Sequence, residues 1–287
     1  MKNIALVLKP GTPEVASLVN RIGKHLKGRQ VEVFCSKENK TELKGVTTLK
    51  PKFVSTDELK KYAQAVLVLG GDGTFLRAAQ TVFGTSIPLI GVNLGKLGFL
   101  TEVNPDDLET SLEAFLNGHL HTQKRAFYEV SHYRGGKLLA HKPFVNDAVL
   151  QRNADEKVIQ YAAFIDGQYM SSARVDGVIV SSPTGSTAYN LSAGGPILYP
   201  TLEGLVLLPI CPHKVSYRPV ILPPVAIKIE LRSERCLLSL DGQPLGKMKK
   251  GDFVIITPSH HKLHVATSPQ KNFFDLLRAK LGWDSAR

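Results

Sequence analysis

Only three of the 287 residues are cysteines, Cys35, Cys211 and Cys236, and they stand far apart. They offer no disulfide framework and no metal-ligand pair, which fits a reducing compartment, so a cytoplasmic location is expected. No apolar run approaches the roughly 18 residues of a membrane span. Met1-Lys2-Asn3-Ile4 leads directly into a strand-like run, without the long apolar region or small-residue cleavage site of a secretory signal. Internal repeats and low-complexity tracts are missing. Acidic residues are scarce beside basic ones, 25 against 36, for a net charge of +11. Such a balance implies a polyanionic partner, whether nucleic acid, an anionic membrane or phosphate-rich small molecules. The basic residues are scattered, and the densest group, Lys247-Met248-Lys249-Lys250, precedes Gly251-Asp252 as on a hairpin turn. No aromatic-basic motif for RNA appears. Neither Cys211-Pro212-His213 nor His260-His261 has a second ligand pair at zinc spacing.

What is present falls into two textures. Ile4–Leu8, Val31–Phe34, Ala65–Leu69 and Ile87–Val92 read as buried strands. Between them, Val15, Leu18, Val19, Ile22 and Leu26 carry helical spacing, and a second helix is expected from about Phe75 to Phe83. Asn104-Pro105-Asp106-Asp107 is a helix start, with an Asn cap, an early proline and acids at the positive dipole end. Alternating strands and helices imply an α/β domain with a parallel sheet over residues 1–120. From about Phe127, short β segments recur between turns such as Gly135-Gly136, Asp166-Gly167 and Asp241-Gly242. An all-β domain is expected over 121–268. Phe273, Phe274, Leu277 and Leu281 return to helical spacing, so 269–287 is expected to be a helix docking back on the first domain.

Chemistry concentrates in four segments. The first, Gly70-Gly71-Asp72-Gly73-Thr74, follows a strand and precedes a helix, at the carboxyl edge of a parallel sheet where ligands bind. Its glycines let main-chain N–H groups approach phosphate, and a helix N-terminus favours an anion. An aspartate there repels phosphate and must serve another purpose. It can hold Mg²⁺, accept a hydroxyl hydrogen bond, take a proton, or simply cap the helix. The loop is neither a Walker motif nor the dinucleotide fingerprint, since no Gly-Lys-Ser/Thr follows and Leu76 stands at the third glycine position. The second segment, Gly91 to Leu100, places three glycines after the next strand, with Lys96 a phosphate contact or solvated and Phe99 a base-stacking or core residue. The third is Asn146-Asp147, an amide beside a carboxylate, suited to ribose hydroxyls or an adenine edge, or to an ordinary turn. The fourth runs from Arg174 to Pro196 and is nearly all small or hydroxylated after Val180. Small side chains leave room for a ligand, hydroxyls and N–H groups offer partners, and Tyr189 offers a stacking face. It lacks the Gly-x-Ser-x-Gly elbow of a serine hydrolase.

These segments, with Pro209-Ile210-Cys211-Pro212-His213 and Arg218-Pro219, resemble the blocks of the NAD kinase family in the family's order, over roughly residues 65 to 245. The Gly-Gly-Asp-Gly-Thr loop alone is shared with diacylglycerol and sphingosine kinases, and in near form with phosphofructokinases. The Asp176–Pro196 run is far more specific. The resemblance implies transfer of the ATP γ-phosphoryl group to the 2′-hydroxyl of the adenosine ribose of NAD, giving NADP. It implies Mg²⁺ or another divalent ion with unknown ligands, ATP or polyphosphate as donor, and a homodimer or homotetramer. By motif position it makes Asp72 the proton acceptor, with Gly73 beside the ribose and Gly70, Gly71, Gly73 and Thr74 at the ATP phosphates. Asn146 and Asp147 hold the adenosine side; the family more often has Glu at the second position, and Asp147 is one methylene shorter. Phe99 packs near the adenine, and Arg174 and Asp176 lie toward the nicotinamide. Thr187, Ala188, Tyr189, Asn190, Leu191 and Ser192 line the pocket, Gln243 completes it, and Arg77 and Lys157 occupy positions often basic or polar.

Phosphate-bearing substrates account for the basic chain without nucleic acid or membrane. The phosphoryl transition state is loose in most analyses, so positioning and charge neutralisation carry the catalysis. An ordinary aspartate, near pKa ~3.9, is a weak base, so Asp72 is expected to orient the hydroxyl and take its proton late. Two rivals are a lipid kinase, which needs an acyl-chain entrance, and a non-catalytic dinucleotide sensor or basic nucleic-acid module. The hydroxyl-rich run favours a polar substrate over a lipid.

Overall fold

The computed structural model describes residues 1–95, 97–153, 158–267 and 272–283. The chain divides into two compact units, Met1–Lys124 with Lys262–Arg287, and Arg125–His261.

The first unit begins with β1 (Lys2–Leu8), α1 (Glu14–Leu26), β2 (Val31–Ser36), β3 (Lys52–Val54) and α2 (Leu59–Tyr62). It continues with β4 (Ala65–Gly70), α3 (Asp72–Val82), β5 (Leu89–Asn93) and α4 (Leu108–Leu116). The strands pair in parallel in the order β5-β4-β1-β2-β3. β4 buries all six of its residues, as a strand covered on both faces must. The helical spacing of α1 buries Val15, Leu18, Val19, Ile22 and Leu26. They pack with Ile4, Leu6, Leu8, Leu67, Leu69 and, from α4, Leu108 and Leu112. Each such side chain contributes about 1.5–3 kcal/mol against the entropy of ordering. The β1 crossover runs one way along the sheet and the β4 crossover the other, so the order reverses at the β1–β4 pair. A crevice opens at such a reversal, outside the carboxyl ends of the strands.

Among its described residues the second unit is β, apart from short helical turns within 185–192. Its elements are β6 (Thr122–Arg134), β7 (Lys137–Phe144), β8 (Asp147–Gln151), β9 (Ile159–Ile165), β10 (Gln168–Val175), β11 (Gly177–Ser181) and α5 (Tyr189–Ser192). They continue with β12 (Leu205–Ile210), β13 (Val220–Leu222), β14 (Ile227–Leu231), β15 (Arg235–Leu240), β16 (Gln243–Lys249) and β17 (Phe253–Ala266), whose last residues belong to the first unit. One antiparallel sheet has the order β13-β12-β11-β8-β15-β16. The other runs β10-β9-β14-β17, with β6 beside β17 and β7 beside β6. Alternate residues of both sheets meet in one core that includes Tyr128, Phe144, Leu150, Tyr161, Val180, Ile229 and Leu238. Asp166-Gly167 and Asp241-Gly242 both have positive φ at their two positions, the geometry of a two-residue hairpin turn. Buried Asp252 ties β6 to the start of β17. Burial opposes its charge, but Arg134, the Lys249 amide and His132 together hold the carboxyl below its ordinary range.

The last element, α6 (Phe273–Leu281), is the expected C-terminal helix and groups with the first unit. Asn272 and Asp275 form a capping box at its start, and Gly282 ends it at φ 67°.

Candidate active site

β4 delivers the chain to the carboxyl edge of the first unit's sheet, with Gly70 beside Asn93 of β5. Gly71 is extended and its carbonyl accepts the Thr74 and Phe75 amides, so α3 starts at Asp72, three residues earlier than the apolar spacing suggested. A carboxylate in the first turn suits the positive end of the helix. The loop after β5 folds over it. Oδ2 of Asp72 accepts the Phe99 amide at 2.9 Å. Oδ1 accepts the Leu100 amide at 3.1 Å, the Thr101 amide at 3.2 Å and the Thr101 hydroxyl at 3.1 Å. Three successive main-chain N–H groups thus cradle one carboxylate. Gly98 is what lets the loop come so close: a Cβ there would lie 2.0 Å from Asp72 Oδ1. Of the other expected phosphate residues, Gly71 is half-buried, Gly73 exposed and Thr74 buried. Arg77 is exposed on α3. Phe99 is half-buried, with Phe273 of α6 at 6.4 Å and the Lys280 ammonium 5.7 Å from its ring centre. Beyond Asn93, a cleft of about 390 Å³ is lined by Glu14, Ser17, Leu18 and Arg21 of α1 together with Asn93, Leu94, Gly95 and Pro105.

The second unit brings together Asn146-Asp147, the start of the hydroxyl-rich run and Asp241. In the sheet Asp147 pairs with Ser181, and Ala148 with Leu240. Asp241 accepts the amides of Val145, Asn146 and Asp147, and returns its own N–H to the Asp147 carbonyl. Spacing gave no sign of this residue, since its partners are some 95 positions away; only the Asp-Gly turn signal marked it. Asn146 is 9 % exposed, and its side-chain Oδ1 is buried without a hydrogen-bond partner. Asp147 is 4 % exposed, and burial, reinforced by the charge of Asp241, pushes its carboxyl up to about 7.

The run from Ser181 to Pro196 is tightly built, and most of its hydroxyls are spent inside it. Ser182 donates to the Val145 carbonyl and accepts the Gly185 amide; Ser186 donates to Pro183 and accepts from Leu198. Gly185 lies so close that a Cβ would sit 2.1 Å from the Asn146 carbonyl oxygen. Asn190 is buried, its amide donating to the Ser186 and Pro196 carbonyls. The groups left facing outward are fewer: Thr187, Ala188 and Leu191 are half-buried, and Tyr189 and Ser192 are exposed. At the other end of β8 and β11 a cavity of about 360 Å³ collects Asp176 and Tyr189 with Gln151, Arg152, Asn153 and Ile210. Arg152 faces Asp176 at 3.4 Å. Of these, the motif reading had named Asp176 and Tyr189 as site residues and Ile210 as part of a family block. Arg174 is exposed on β10, and Gln243 is exposed just after the Asp241-Gly242 turn. Lys96 and Lys157 lie outside the described residues.

A carboxylate fixed at a helix start on the carboxyl edge of a parallel sheet suits a phosphotransferase, and the polar pocket of the β domain suits a nucleotide-like substrate. Residues 4–120 match the family model of the ATP-NAD kinase N-terminal domain, and 145–268 that of the C-terminal domain. The NAD kinase of Geobacter metallireducens is 40 % identical over 233 residues, 80 % of this chain and 82 % of that one. The NAD kinase of Chromohalobacter salexigens is 36 % identical over 99 % of this chain and 97 % of its own. Among solved structures, an NAD kinase from Archaeoglobus fulgidus in complex with ATP superposes with a TM-score of 0.73 at 25 % identity, covering 96 % of this chain and 98 % of that one. Yeast NADH kinase complexed with NADH superposes at 0.92 with 24 % identity, over all of this chain and 89 % of that one, a likeness of fold. The chain belongs to the NAD kinase family and is an NAD kinase.

Proposed function

We propose that Asp72 aligns the 2′-hydroxyl of the adenosine ribose of NAD and receives its proton as that oxygen takes the γ-phosphoryl group of ATP. The new bond is 2′-O–P, the bond lost is that from the γ-phosphorus to the bridging oxygen, and the products are NADP and ADP. One observation carries this reading: the Asp72 carboxylate is fixed by four donors at the start of α3, on the sheet edge where phosphate-handling loops lie. A carboxylate that cannot swing away holds its partner at reacting distance, and positioning is most of what phosphoryl transfer needs.

Gly70, Gly71, Gly73 and Thr74 serve the ATP phosphates at the start of α3, where the helix end favours an anion. The unpartnered Oδ1 of Asn146 accepts a donor of the adenosine, and Asp147 faces a ribose hydroxyl. Phe99 gives its ring to the adenine side, with Arg77 and Lys157 as supporting polar contacts. Asp176, Arg174 and Tyr189 take the nicotinamide half, with Thr187, Ala188, Asn190, Leu191, Ser192 and Gln243 shaping the pocket. Asn190 does so from within, through the backbone it ties together. A divalent ion, Mg²⁺ by preference, neutralises phosphate charge. Among the described residues no three His, Cys, Asp or Glu side chains cluster to cage a metal. That suits an ion held chiefly by the nucleotide phosphates and water, as Mg²⁺ usually is. The enzyme works in the cytoplasm as a homodimer or homotetramer, its positive charge matched to two phosphate-bearing substrates and not to nucleic acid. Free thiols at Cys35, Cys211 and Cys236 support a reducing compartment. No helix among the described residues is long and apolar enough to cross a membrane.

Incubation with ATP, Mg²⁺ and NAD tests this reading, with NADP read by an NADP-specific dehydrogenase. Asp72→Asn is expected to lower kcat by about 10²–10⁴-fold with KM for NAD little changed. Nearly unchanged turnover would remove Asp72 from the chemistry.

A further inference from the structure

We infer that Thr101 is a positioning residue for the reaction: with its neighbours it commits Oδ1 of Asp72 to the protein and leaves Oδ2 as the oxygen that meets the substrate hydroxyl. The inference rests on the role proposed for Asp72. The two oxygens are treated unequally. Oδ1 takes three donors, the Leu100 amide, the Thr101 amide and the Thr101 hydroxyl, at 3.1, 3.2 and 3.1 Å. Among the described residues, Oδ2 takes the Phe99 amide alone. An ionised carboxylate offers about four acceptor sites over its two oxygens. Oδ1 is therefore filled, and the spare capacity is on Oδ2.

Thr101 supplies two of the three donors to Oδ1, and its hydroxyl is the only side-chain donor of the four. It is fully buried, 0 % exposed, and its hydroxyl points at Oδ1. Donors to an ionised acceptor make the stronger class of hydrogen bond. Together these contacts oppose rotation of the carboxylate, which would exchange its two oxygens. The arrangement also survives the reaction. When the 2′-hydroxyl proton arrives on Oδ2, Oδ1 becomes the carbonyl oxygen of the acid and still accepts from Thr101. Gly98 belongs to the same device, because a Cβ there would lie 2.3 Å from the Thr101 hydroxyl oxygen as well as against Oδ1.

Thr101→Val keeps the shape and removes the donor; Thr101→Ser keeps the donor. The valine variant is expected to lose about tenfold in kcat, with KM for NAD and for ATP within about twofold. The serine variant is expected to retain most of the activity. In an Asp72→Asn background, Thr101→Val should cost nothing further. If valine lowers the melting midpoint enough to confuse the reading, Thr101→Ala and the serine variant carry the same comparison. Wild-type kcat in Thr101→Val beside an inactive Asp72→Asn overturns the role of Thr101 and leaves that of Asp72 standing. Equal losses for valine and serine, or the same loss in the Asp72→Asn background, overturn it too. An active Asp72→Asn overturns both roles.

Discussion

Asp72 and Asp241 are built alike and are set to different work. Each carboxylate accepts three successive main-chain amides from a segment distant in sequence, 99–101 for Asp72 and 145–147 for Asp241. Asp72 opens a helix, and one of its oxygens keeps acceptor capacity. Asp241 sits in a hairpin turn at φ 49°, returns its own N–H to the segment it binds, and lies beside a second carboxylate that its charge helps to keep protonated. In the first unit the cradle fixes the carboxylate for which we propose the reacting role. In the second the same cradle fixes its neighbours, Asn146 and Asp147, for which we propose a binding role. One local device, a carboxylate in a ring of N–H groups, serves as either chemistry or scaffold according to which partner carries the free atom.

Substitutions that disturb one cradle and spare the other sharpen this contrast. Gly98→Ala forces a methyl against Asp72 Oδ1; a displacement near 1 Å is expected to cost about 10²-fold in kcat with little change in NAD affinity, checked by steady-state kinetics. Asp147 yields the next effect. Its folded-state value near 7 lies above the unfolded value near 3.8. Through this group the folded state binds more protons between those values, so its contribution to stability is full below about pH 4, falls as pH rises toward 7, and levels beyond. Asp147→Asn removes this slope, a difference of up to about 4 kcal/mol at pH 8, read from urea unfolding across pH. Asp241→Ala strands three amides and is expected to destabilise by about 2–3 kcal/mol and to raise KM for NAD, seen by thermal melting and kinetics.

Much of the frame was legible beforehand. The apolar runs at Ile4–Leu8 and Ala65–Leu69 are strands, and the spacing from Val15 to Leu26 is a helix, because burial on a sheet leaves a clear period. The short elements β3 and α2 were not foreseen; three or four residues carry no period. The start of α3 was missed because Asp72, Gly73 and Thr74 are chosen for the site and not for the core. Sequence also misjudged what the hydroxyls do. Ser182 and Ser186 hold their own loop together, and the small residues let that loop close on Asn146. Neither cradle was visible, because both depend on contacts that span from about thirty to nearly a hundred residues.

The most direct test is single-turnover phosphoryl transfer in Asp72→Asn and Asp241→Asn, with NAD binding measured on the same preparations. Asp72→Asn should bind NAD with near-normal affinity and transfer at least about 10²-fold more slowly. Asp241→Asn should bind NAD more weakly and, once saturated, transfer at close to the wild-type rate. A fast transfer step in Asp72→Asn, or a slow one in saturated Asp241→Asn, would contradict the division of work between the two carboxylates.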